Sequence, residues 1–351
     1  MIKKHVKTLR AGVATLLAAG VAICVVTVMP AAAQNVALPA AGILGSDSKI
    51  AFTGDRAGRE NFDEISVMNA DGSGERIVTP TKDASCNAIN PRWSPNGHRI
   101  AFHCFTLVPL FSEIYLIEAD GTRMTQLTNM TPAGLGAAFA SWSPKGNKIA
   151  FNNPTPNPLM PNIIPNIYVV NVDDLAVTQL TFGGANRADW SPDGRKLVFN
   201  SGPQLTAQIY VADIDDPDGA VQLTFPGGAN RNPRWSPDGS KITFESTRDG
   251  DAEIYVMNAD GSAQLRLTQF PGLDAVPSFS PDGHWIVFHH QLETNQGTPP
   301  NGSDLFAVRA DGSGQIVRLT NGVTGDLATT SFSSFASWAP GALRPAEGAE
   351  H

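Results

Sequence analysis

Short runs of alternating hydrophobic and polar residues recur along the chain from about residue 46 onward, separated by turn residues and without a helical period between them. The most regular separators are Trp93-Ser94-Pro95-Asn96-Gly97, Trp142-Ser143-Pro144-Lys145-Gly146, Trp190-Ser191-Pro192-Asp193-Gly194, Trp235-Ser236-Pro237-Asp238-Gly239 and Phe279-Ser280-Pro281-Asp282-Gly283, with a weaker copy at Trp338-Ala339-Pro340-Gly341. Serine accepts a hydrogen bond at the first turn position, proline fixes φ at the second and glycine permits the exit conformation, so each copy predicts a tight hairpin. An apolar strand follows each turn, as in Ile100-Ala101-Phe102, Ile149-Ala150-Phe151, Leu197-Val198-Phe199, Ile242-Thr243-Phe244 and Ile286-Val287-Phe288, and Ile50-Ala51-Phe52 matches them without a turn before it. A third strand comes next, for example Ile167-Tyr168-Val169-Val170 and Ile254-Tyr255-Val256-Met257, then an Asp-Gly turn such as Asn258-Ala259-Asp260-Gly261-Ser262, then a fourth strand ending in Leu-Thr.

Four short strands in a unit of about 45 residues are the signature of propeller blades. The first unit begins at its second strand, near Lys49, whereas the last, Phe335-Ala336-Ser337-Trp338, supplies only a first strand. Joining them completes a sixth blade and removes the open edge of a linear array. The expected fold is therefore all-β: a six-bladed β-propeller of four-stranded antiparallel blades, closed by a C-terminal strand joining the N-terminal blade. The repeated tryptophans read as packing between blades.

The linked motifs, a Trp-Ser-Pro-Asp-Gly turn, an Ile-x-Phe strand and the Ile254-Tyr255-Val256-Met257-Asn258-Ala259-Asp260-Gly261 segment, resemble the TolB-like propellers with their WD40-like repeats, over residues from about 46 to 341. The resemblance implies a six-bladed fold and a cell-envelope setting. The family's name-giving member carries an extra N-terminal α/β domain, and no counterpart is expected here, because the repeats begin so early.

In such blades the turns from first to second and from third to fourth strand share one face. The other face takes the links between blades and the second-to-third strand loops, including the long insertions Asn153 to Asn166 and Gln291 to Gly302, which could form two walls of a cleft. Candidate binding residues on that side are Asn90 and the duplicated Gly183-Gly184-Ala185-Asn186-Arg187 and Gly227-Gly228-Ala229-Asn230-Arg231, with Asn186, Arg187, Asn230 and Arg231 as side chains. The alternative is that the glycines only permit tight links and the arginines are solvated. A second set follows each second-strand Phe: Thr53, His103, Asn152, Asn200, Glu245 and His289 could ring the channel mouth, or else bond local loops.

No linear hydrolase, zinc, nucleotide or dinucleotide motif is present, and no cofactor or metal is expected. The favoured reading is a binding or scaffold module for an envelope protein, peptide or glycan, expected to be monomeric and non-catalytic. The alternative is a metal-dependent polysaccharide lyase or hydrolase using His103, Glu245 and His289.

Residues 1–33 read as a secretory signal peptide: Lys3, Lys4, Lys7 and Arg10, an apolar run from Ala11 to Met29, then Pro30 and Ala31-Ala32-Ala33. The run is also long enough for an uncleaved membrane anchor, and either alternative places the rest outside the cytoplasm, periplasmic or secreted. Cleavage would take the formal charge of -8 to about -12, against nucleic acid as a partner and with no membrane span left. Residues 34–45 are expected to be a linker and 342–351 a disordered tail. Counting back from the Ser94 turn sets Cys86 nearly opposite Cys104, which predicts a disulfide contributing about 3 kcal/mol. Two buried thiols are the alternative.

Overall fold

The computed structural model describes residues 48–54, 63–79, 87–107, 110–133, 135–153, 164–291, 304–320 and 334–340. The expected export segment, linker and tail, most of both long insertions, and Cys86 lie outside the described residues. Cys104 is disulfide-bonded, and strand register sets Ala88 directly opposite it, two residues along from Cys86.

The first blade holds β1 (Lys49–Gly54), β2 (Glu64–Asn69) and β3 (Arg76–Ile77). The second holds β4 (Asn87–Trp93), β5 (Arg99–Leu107), β6 (Leu110–Glu118) and β7 (Thr125–Gln126). The third holds β8 (Ala138–Trp142), β9 (Lys148–Asn152), β10 (Ile167–Asn171) and β11 (Val177–Gln179). The fourth holds β12 (Ala185–Trp190), β13 (Lys196–Ser201), β14 (Gln208–Asp213) and β15 (Asp216–Gln222). The fifth holds β16 (Asn230–Trp235), β17 (Lys241–Ser246), β18 (Glu253–Asn258) and β19 (Leu265–Arg266). The sixth holds β20 (Leu273–Phe279), β21 (Trp285–Gln291), β22 (Asp304–Arg309) and β23 (Ile316–Arg318). Finally β24 (Ser334–Trp338) pairs antiparallel with β1, so the first blade is built from both ends of the propeller, and the six first strands touch one another in a closed cycle around a central channel. The ring closes as the sequence predicts.

Five of the predicted turns form, and the sixth ends at Gly341, outside the described residues. Gly97 N–H bonds the Ser94 carbonyl at 2.9 Å, the Ser94 hydroxyl accepts the Arg99 N–H at 2.9 Å, and the glycine takes φ of 70°, a conformation side-chain-bearing residues avoid. The conserved geometry of the blade also explains the Phe and Tyr positions. They face each other across the second and third strands and stack, as in Phe151–Tyr168 and Phe244–Tyr255 at 5.6 Å between ring centres. Six hydrophobic clusters hold the ring, each formed between two adjacent blades; Trp93, Trp142, Trp190, Trp235 and Trp338 sit in or against them, with Phe279 at the sixth position. Burying each such side chain stabilises the fold by roughly 1.5–3 kcal/mol.

The threonine that ends each unit, after leucine in five and after Val78 in the first, has a specific job. Thr79, Thr128, Thr181, Thr224, Thr268 and Thr320 each accept, through the hydroxyl, the backbone N–H that begins the third strand, at Ile65, Ile114, Ile167, Ile209, Ile254 and Leu305. Thr224 is fully buried, and its bond to Ile209 is 2.8 Å long. Thr224→Val keeps the shape but leaves that N–H unsatisfied, so it should cost about 1–3 kcal/mol. Chemical denaturation would check this; an unchanged unfolding midpoint would contradict the role of the hydroxyl.

Candidate functional site in the central channel

The first strand of each blade lines the channel, and in all six it loses register with the second strand at one place. The third residue before the Trp position, or before Phe279, takes a positive φ there: 65° at Asn90, 59° at Phe139, 56° at Arg187, 53° at Asn232 and 54° at Val276. Such a bulge leaves one backbone N–H without a ladder partner. The side chain following the second-strand Phe of the preceding blade takes it up. Thr53 Oγ1 accepts from Asn90 at 3.0 Å, His103 Nδ1 from Phe139 at 3.5 Å, Asn152 Oδ1 from Arg187 at 3.2 Å, Asn200 Oδ1 from Asn232 at 3.4 Å and Glu245 Oε2 from Val276 at 3.3 Å. Five of the six residues foreseen as a polar ring, Thr53, His103, Asn152, Asn200 and Glu245, therefore act as latches between blades.

Several candidates do converge. Arg187 lies over the Phe139 ring at 4.0 Å and donates from Nη1 to Asn232 Oδ1, while Asn232 Nδ2 donates to Glu245 Oε2. Glu245 Oε1 meets Arg231 Nε at 2.9 Å. Neither arginine is simply solvated, contrary to the alternative drawn from the glycine-rich links. The apparent duplication of Asn186-Arg187 and Asn230-Arg231 is also offset. The second copy stands one residue further from its tryptophan, so Arg231 pairs opposite Glu245 as Asn186 does opposite Asn200, and Asn232 is the counterpart of Arg187. Asn230 faces elsewhere, bonding Gln208 Oε1 at 2.9 Å and accepting from Arg248 at 2.8 Å. Asn90 is buried with neither amide atom hydrogen-bonded. Burial lowers the His289 pKa, with Glu245 and Asp274 opposing it, and His290 bonds Asp274 at 2.6 Å. Among the described residues no three His, Cys, Asp or Glu side chains come together closely enough to hold a metal ion.

Sequence reasoning missed a further set, the residue immediately before each Trp position: Arg92, Ser141, Asp189, Arg234, Ser278 and Ser337. With the tryptophans and Ser-Pro turns these line a cavity of about 380 Å³ where the channel opens on the face of the tight turns. Asp189 accepts from Ser141 at 2.9 Å and from the Trp235 N–H at 3.0 Å, and it pairs with Arg234 at 3.3 Å. Burial, with Arg234 nearby, pushes the Arg92 pKa well below its ordinary value; burial lowers Arg187 to about 10. Aligning the repeats on tryptophan and reading one position back would have exposed this set.

Six antiparallel four-stranded blades around a polar channel define a six-bladed β-propeller. The chain belongs to the TolB beta propeller domain family, which it matches over residues 42–233 and 221–334. Among solved structures it is similar to TolB from Acinetobacter baumannii, with 22% identity and a TM-score of 0.67 over 84% of this chain and 67% of that one. A putative TolB from Agrobacterium tumefaciens is also similar, at 22% identity and a TM-score of 0.60, covering 78% of this chain and 89% of that one. Oligogalacturonate lyase from Vibrio parahaemolyticus shares the fold at 14% identity and a TM-score of 0.54, over 79% and 75% of the two chains. No curated protein sequence matches the chain significantly.

His103 must be neutral at Nδ1 to accept the Phe139 N–H, and burial, with Arg187 nearby, lowers its pKa from 6.5 to about 3. A lowered folded-state value means that its contribution to stability is complete above pH 6.5 and is lost as the pH falls toward 3. Asn152 and Asn200 make the same latch without titrating, so His103→Asn should flatten the fall in thermal midpoint between about pH 7 and pH 4. Superimposable profiles for the two proteins would argue against a titrating latch.

Proposed function

We propose that this chain is an exported, non-catalytic scaffold of the cell envelope that binds a protein or peptide on the face of its inter-blade links. The observation that carries the reading is that six of the ten large apolar side chains exposed among the described residues share one face, while Leu175 sits in the β10–β11 turn and Val177, Val221 and Leu265 on fourth strands. Phe182, Phe225, Phe270 and Leu273 lie on or beside links between blades, and Ile164 and Leu205 on second-to-third strand loops, so topology puts all of them on one face, in the third to sixth blades. Phe182, Leu205 and Phe225 are 73%, 83% and 68% exposed. Large apolar groups gathered on the loop face of a rigid scaffold suit a protein surface better than a glycan. Membership of the TolB propeller family supports a protein partner and a periplasmic setting, and the basic-then-apolar N-terminal segment supports export. The polysaccharide-cleaving alternative loses support because His103 and Glu245 spend acceptor atoms on latches.

The test is affinity capture from envelope extract with the mature protein and a folded Phe182→Ser, Leu205→Ser, Phe225→Ser variant. One identified protein should remain on the first at high salt and bind the second at least about tenfold more weakly, because central apolar anchors dominate such interfaces. Equal retention by both proteins would remove this face from the reading.

A further inference from the structure

The position before tryptophan is arginine twice, at Arg92 and Arg234, on the second and fifth blades, which stand opposite each other in the ring. Both are held alike by the backbone. Arg234 Nη1 donates to the Ala188 carbonyl and Arg92 Nη1 to the Ala336 carbonyl, each at 3.3 Å and each on the preceding blade. Their counter-charges differ. Arg234 has Asp189, the residue before Trp190, at 3.3 Å, whereas the equivalent residue on the blade that Arg92 reaches, before Trp338, is Ser337. Arg92 is only 7% exposed, lines the cavity, forms no ion pair with any described residue, and has no hydrogen-bond partner for Nε and Nη2. Arg234 likewise leaves Nε without a partner and meets Asp189 through Nη1, so the difference between the two arginines is the acid facing Nη1.

We propose that the cavity at the turn end of the channel binds a single carboxylate, held against Arg92 Nη1 in the place that Asp189 takes against Arg234 Nη1. Two arginines and one aspartate leave one positive charge on the ring of residues before tryptophan, which fits a monoanion better than a dianion such as sulfate. Ser278 and Ser337 add hydroxyls, and the tryptophans and prolines of the rim offer an apolar wall, so the carboxylate belongs to a small acid with an apolar body or to the C-terminus of a peptide. The site is independent of the protein-binding reading, which concerns the opposite face.

Benzoate is the probe, with benzamide as the neutral isostere and sulfate as the dianion, measured by calorimetric titration of the mature protein. Benzoate should bind at least about tenfold more tightly than either control, that factor corresponding to 1.4 kcal/mol. Ser337→Asp supplies the missing carboxylate within the chain; it should weaken benzoate at least tenfold while leaving the thermal midpoint unchanged or higher. Arg92→Met should also abolish binding, and the Ser337 variant guards against its misfolding. Acetyl-Ala-Phe with a free or amidated end separates the two sources: tighter binding of its free acid than of benzoate assigns a chain terminus, and its exclusion assigns a small acid. Equal binding of benzoate and benzamide, or undiminished benzoate binding by Ser337→Asp, would overturn the proposal.

Discussion

A propeller blade that narrows toward a central axis must turn its innermost strand, and in this chain the turn leaves a backbone N–H buried without a ladder partner. A buried unsatisfied N–H costs about 1–3 kcal/mol, and the bulge recurs around the ring, so the fold depends on answering it. The answer comes from the neighbouring blade: Thr53, His103, Asn152, Asn200 and Glu245 supply acceptors of four kinds to one repeated backbone position. This explains why the residue after the second-strand phenylalanine is always polar although its identity varies. It also ties adjacent blades together by something more directional than the hydrophobic clusters between them.

The same arrangement divides the channel into two levels. At the bulges, side chains are engaged with one another: Phe139 under Arg187, Arg187 with Asn232, Asn232 with Glu245. Nearer the tight turns, the residues before each tryptophan repeat the bond pattern of the arginines without repeating the acid that balances them. Sixfold repetition of backbone with unequal side chains is what gives Arg234 an acid and leaves Arg92 facing Ser337. The outer faces differ as well, since links and loops carry exposed residues such as Phe182 and Leu205 whereas the tight turns carry fewer, Leu175 among them.

Much of the fold was legible in the order of residues. The Trp-Ser-Pro-x-Gly turns, the Ile-x-Phe and Ile-Tyr strands and the Leu-Thr ends are local signals, because turn conformations and strand alternation depend on near neighbours, and the split first blade followed from where the repeats begin and stop. The site was less legible. Asn186-Arg187 and Asn230-Arg231 read as equivalent in the sequence, yet one added residue before Trp235 shifts the second pair along the bulge and exchanges the roles of Arg231 and Asn232. The sequence determined six blades and which positions repeat. Only the tertiary structure decided that five of the six polar-ring residues are spent on latches and that Arg92 lacks the partner Arg234 has, because both facts depend on contacts between blades whose residues are tens to hundreds of positions apart.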